Sequence, residues 1–83
     1  MTTLQEQFEK DFPNKMATVI DATYKYVYIN FTNYDLDLRE YVNLEKLVLS
    51  NNNLTSIDLS KQDKLTKLLL AGNPLTSLKL PPS

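Results

Sequence analysis

The chain has 83 residues, nine Lys or Arg against ten Asp or Glu for a net charge of −1, and neither cysteine nor histidine. A domain this short buries only about 60% of its unfolded surface, and disulfide staples and the common zinc sites are excluded as additional support. The balanced charge offers no basic field for phosphates, which excludes the usual nucleic-acid binders, and no apolar run approaches the twenty residues of a membrane span.

The first residues, Met1-Thr-Thr-Leu-Gln-Glu-Gln-Phe-Glu-Lys, contain no basic n-region and no apolar h-region, which leads to the expectation of a soluble, cytoplasmic protein. Thr3 with Glu6 forms a capping box, and Leu4, Phe8 and Phe12 recur every four residues until Pro13 stops the run. This pattern predicts a helix over residues 3–12 that lays its apolar stripe on the next element as an N-terminal cap. Residues 16–22, Met-Ala-Thr-Val-Ile-Asp-Ala, form a leading strand. In the run YKYVYINFTNY, Tyr24, Tyr26, Tyr28 and Tyr34 share one strand face if the strand extends that far, and with Phe31 they supply bulky core beneath the helix. Asp35, Asp37 and Glu40 are the densest carboxylates and fit a solvated turn.

From Leu44 onward the chain repeats. Leu44, Leu47, Leu49, Asn52, Leu54, Ile57 and Leu59 return twenty-one residues later as Leu65, Leu68, Leu70, Asn73, Leu75, Leu78 and Leu80. Six set apolar positions would be filled by chance in roughly one window in two hundred, so the match marks a repeated structural unit. Alternation of side chains along a strand sends Leu47 and Leu49 to one side and Val48 to the other. Gly72 precedes Asn73 and Asn51 precedes Asn52, both residue types that tolerate positive φ. Subtracting twenty-one once more reaches Tyr26, Tyr28, Leu36 and Leu38 in apolar positions, but Phe31 in the Asn position, a degenerate first copy.

The pattern L-x-x-L-x-L-x-x-N-x-L followed by L-x-L, with the phrases Leu54-Thr-Ser-Ile-Asp-Leu-Ser60 and Leu75-Thr-Ser-Leu-Lys-Leu80, resembles the leucine-rich-repeat family of the short twenty-one-residue type over residues 44–80. The resemblance implies an α/β fold, a short leucine-rich-repeat solenoid of parallel β coils with an N-terminal capping helix. Residues 1–15 are then the cap, 16–43 the degenerate first coil, 44–64 a repeat and 65–80 a terminal incomplete repeat. It also implies that Asn52 and Asn73 satisfy backbone groups where the chain leaves the sheet, and that partners bind on the concave sheet face.

Outward positions read at twenty-one-residue spacing place Val27, Val48 and Leu69 in a central column, with Lys25, Lys46 and Lys67 on one flank and Ile29, Ser50 and Ala71 on the other. The expectation is a non-enzymatic protein-protein interaction module that uses Lys25, Val27, Lys46, Val48, Lys67 and Leu69. At the other extreme of the repeat, only Pro81, Pro82 and Ser83 follow Leu80. Leu68, Leu70, Leu75, Leu78 and Leu80 are therefore a candidate self-association edge, and the alternative expectation is a homo-oligomer, dimer or filament, built through it, unless further repeats of a longer parent protein cover them. No cofactor, metal, nucleic-acid or membrane partner is expected, because the chain has no His, Cys, phosphate loop or ligand cluster.

Overall fold

A computed structural model describes residues 2–82; Met1 and the Ser83 of the closing Pro-Pro-Ser lie outside it. Helix α1 spans Leu4–Asp11, and six three-residue strands follow: β1 Val19–Asp21, β2 Asp35–Asp37, β3 Lys46–Val48, β4 Ser56–Asp58, β5 Lys67–Leu69 and β6 Ser77–Lys79. The odd-numbered strands form one parallel sheet in the order β1-β3-β5 and the even-numbered ones a second in the order β2-β4-β6. Each repeat unit therefore gives one strand to each sheet, where the sequence reading allowed only one strand per unit.

Helix α1 begins as its sequence requires. Thr3 Oγ1 accepts from the Glu6 amide at 3.0 Å while Glu6 Oε1 accepts from the Thr3 amide at 3.0 Å, and Phe12, just before Pro13, is the C-cap. Leu4 and Phe8 are fully buried, and Phe8 contacts Tyr41 edge-on with ring centroids 5.6 Å apart.

Between the sheets lies one core. Leu47 and Leu49 of one side join Leu36, Leu38, Leu54, Ile57 and Leu59 of the other, all 2% exposed or less. Register follows the repeat: Leu47 pairs with Leu68 and Ile57 with Leu78, each twenty-one residues on. Backbone pairing runs past the strands, with the Leu49 amide donating to the Leu69 carbonyl at 2.9 Å and the Asn51 amide to the Ala71 carbonyl at 2.9 Å.

Where the chain leaves the first sheet, asparagine side chains hold the turns. Asn52, with no exposed surface, donates from Nδ2 to the carbonyls of Ala22 at 2.8 Å and Leu49 at 2.9 Å and accepts at Oδ1 from the Tyr26 amide at 2.7 Å. A primary amide suits this place because it supplies donors and acceptors on one planar group.

The first unit departs from the expected register. The step from β1 to β2 is 16 residues, start to start, against 10 from β3 to β4 and from β5 to β6. Val19, Ile20 and Asp21, not Lys25, Tyr26 and Val27, pair with Lys46, Leu47 and Val48. Six additional residues thus sit in the first loop, and counting back by twenty-one fails there while it succeeds for Leu36 opposite Ile57. The true alignment is visible in the backbone: Tyr24, Asn51 and Gly72 occupy one column with φ of 58°, 60° and 78°. Lys25, rather than Phe31, then stands in the asparagine column.

The tyrosine run is correspondingly not a strand. Tyr26 is buried and its hydroxyl donates to Asp11 Oδ2 at 2.8 Å, Phe31 is buried against it, and Tyr34 packs on Phe31. Tyr28 and Tyr24 point to solvent, at 92% and 60% exposed.

Candidate functional site

Three surfaces are open to partners: the outward face of the first sheet, a depression over the second, and the β5–β6 end. On the first sheet, parallel pairing sets Lys46 beside Lys67 and Val48 beside Leu69. The row of Lys46 starts with Val19, and the row of Val48 starts with Asp21. Lys25 and Val27 are not part of this face. Lys25 projects from the first loop with its ammonium 6.0 Å from the Phe12 ring and 5.9 Å from the Tyr26 ring, and half-buried Val27 gives its carbonyl to Asn53 Nδ2 at 2.9 Å. The displacement follows from the six-residue loop, which moves β1 upstream of the tyrosines.

Val48 is more enclosed than expected at 6% exposed, because the middle strand of three has a neighbour on each flank, whereas Leu69 on the edge strand is 43% exposed. Val19, at 57% exposed, adds an apolar group at the opposite corner. Among the described residues, neither Lys46 nor Lys67 makes an ion pair. The Asp21 carboxyl is held below its ordinary range, first by the Thr23 hydroxyl, which donates to Oδ1 at 2.8 Å.

Over the second sheet lies a depression of about 390 Å³ bordered by Gln5, Asp35, Asp37, Ser56, Asp58, Ser77 and Lys79. Asp35 and Asp37 lie in β2 and Glu40 in the turn after it, so the first two are not turn residues as the sequence suggested. The groups here are already engaged with one another. Arg39 donates to Asp37 from Nε at 3.0 Å and Nη2 at 2.8 Å, and its Nε lies 3.6 Å from Asp58 Oδ2. The Arg39 guanidinium keeps the Asp37 carboxyl below its usual range, and Ser60, donating at 2.6 Å, does the same for Asp58. Among the described residues no group of His, Cys, Asp and Glu is placed to hold a metal ion.

At the β5–β6 end, Leu68, Leu70 and Leu75 are half-buried while Leu78 and Leu80 are 44% and 53% exposed. A cavity of about 370 Å³ opens there beside Leu65, Leu68 and Leu80, and Gln62 forms part of its wall. Gln62 is 1% exposed; its Nε2 donates to the carbonyls of Leu38 and Tyr41, and its Oε1 has no hydrogen-bond partner among the described residues. Sequence reasoning did not single out Gln62, although its place twenty-one residues after Tyr41 was a usable signal.

Compared with known proteins, the chain matches no family model, no curated protein and no solved structure. Its repeated parallel-strand architecture therefore stands on its own coordinates. No helix among the described residues is long and apolar enough to cross a membrane.

Proposed function

We propose that the chain is a leucine-rich-repeat solenoid that acts by binding rather than by chemistry, recognising a protein partner on the outward face of its first sheet. One observation carries the reading: Lys46 and Lys67 lie side by side next to Val48 and Leu69 on a parallel sheet face that no element of the described chain covers. Parallel sheets are ordinarily covered on both faces, so an open one is suited to an occupant. Two adjacent lysines beside an exposed leucine fit an extended segment that alternates acidic and apolar side chains.

The test is a nuclear magnetic resonance titration with a synthetic peptide alternating Glu and Leu. Amide shifts should concentrate on residues 46–50 and 67–71, and the double variant Lys67→Glu, Leu69→Glu should abolish them while the folded spectrum persists. Shifts spread elsewhere, or unchanged binding by the variant, would remove this face from consideration.

A further inference from the structure

The two ends of the strand stack are built differently. At the β1–β2 end the inward residues are closed off, with Ile20 and Leu36 each 2% exposed beneath the capping helix and its aromatic neighbours. Gln5 also fills the outer edge of β2: its Nε2 donates to the Asp37 carbonyl at 2.9 Å, and the Asp37 amide donates to Gln5 Oε1 at 2.7 Å. A side-chain amide stands where the peptide of a neighbouring strand would stand. Among the described residues, none covers the β5–β6 end in this way. Leu78, in register with Leu36 and Ile57, is 44% exposed, and beside Leu68 and Leu80 the buried Gln62 lines the 370 Å³ cavity with an acceptor that has no partner among the described residues.

We infer that this end binds a second copy of the same chain, face to face, as a closed two-fold dimer. Two strand edges and the leucines between them have to be covered together, which requires an occupant with two strands at the same separation. A helix would bury the leucines but pair an edge only through a side chain, as Gln5 does at β2, whereas a strand pair satisfies both edges by backbone. A second copy carries such a strand pair, at its own β5–β6 end.

Head-to-tail stacking cannot pair both strands, because Gln5 already occupies the outer edge of β2, so the contact does not propagate into a fibre. When identical surfaces meet, the assembly is isologous and stops at two. A two-fold axis lying in the contact plane runs the meeting strands antiparallel. Antiparallel pairing about Leu78 sets Ser77 opposite Lys79 of the second copy, which keeps the lysines from facing each other. The Gln62 Oε1 then lies at the interface, where a donor from the covering chain can complete it. This inference does not depend on the first-sheet reading, since it uses a different surface.

The test is the mass of the purified chain by sedimentation equilibrium over a wide concentration range. The expected result is a reversible monomer–dimer equilibrium, weakened at least tenfold by Leu78→Glu or Leu80→Glu and unchanged by Lys46→Glu, with far-ultraviolet circular dichroism preserved. A monomer at all concentrations overturns the proposal, as does a mass that grows without limit or a dimer indifferent to the leucine variants. Should the leucine variants lose their fold, nitroxide labels on Ser77→Cys and on Lys10→Cys decide the orientation in the otherwise cysteine-free chain. A short label-to-label distance at position 77 and a long one at position 10 support the two-fold contact, and the reverse order overturns it.

Discussion

Asn73 Oδ1 accepts from the backbone amide of Asn52 at 2.8 Å, and from that of Leu54 at 3.0 Å, so the side chain of one repeat fixes the turn of the repeat before it. Asn52 does the same for the first unit through Tyr26, Ala22 and Leu49, but from a fully buried position. Removing it strands several backbone groups out of reach of water.

Asn52→Ala is therefore expected to cost about 2 to 3 kcal/mol, and Asn73→Ala, on the more open side, about 1 to 2 kcal/mol. Urea unfolding followed by circular dichroism measures both. Equal losses would mean that burial does not set the cost.

Gly72→Ala meets two obstacles. The backbone has φ of +78°, and an added Cβ would sit 2.0 Å from Asn51 Oδ1 and 2.7 Å from its Cγ. We expect a loss of about 1 to 2 kcal/mol. In the double variant with Asn51→Gly the collision is relieved while the backbone strain stays, so part of the loss should return. Full additivity in that cycle would show that the contact between the two residues is not the cause.

Two tyrosines two residues apart in sequence, one buried and one exposed, should respond very differently to truncation. Tyr26→Ala empties a buried site and is expected to cost about 3 to 5 kcal/mol, whereas Tyr28→Ala, at 92% exposed, should change stability by about 0.5 kcal/mol or less. Thermal melts of the pair check this. Comparable losses would place Tyr28 in a packed environment.

Acid should weaken the fold in a defined window. Glu9 is held below its ordinary value of 4.5 by Lys15, and Asp37 and Asp58 below 3.8 by Arg39 and Ser60. A carboxyl depressed in the folded state adds stability above its unfolded value and loses it as pH falls through the folded one. The melting temperature should therefore begin to drop below about pH 4.5 and keep falling as the aspartates protonate. Arg39→Gln should flatten the lower part of that slope, and an unchanged slope would separate Asp37 from the acid response.

The sequence made the later repeats legible because their inward leucines recur at a fixed interval and their turns carry Asn and Gly. Leu47 with Leu68, Ile57 with Leu78, and the positive φ of Asn51 and Gly72 all follow from that interval. The first unit was not legible in the same way, because aromatics replace leucines there and six extra residues shift its phase. That shift moved Lys25 and Val27 off the sheet face. The second sheet escapes the sequence reading although its strands are as long as those of the first, because Ile57 and Leu59 read as backing for the first sheet rather than Ile57 as the centre of a strand of its own, Ser56–Asp58. Gln5 could not be anticipated at all: it pairs with a residue 32 positions away, and its own surroundings in sequence are those of an ordinary polar helix flank.

The longer first loop also removes an ambiguity that identical units create. Units of equal length can exchange neighbours during folding, since a strand that docks one repeat out of place finds nearly the same leucines. The 16-residue step from β1 to β2 matches no other step in the chain, and the Tyr26 hydroxyl binds Asp11 of the helix only from that loop. The hydroxyl contact with helix α1 is thus made by this unit alone, which ties the helix to one place in the stack.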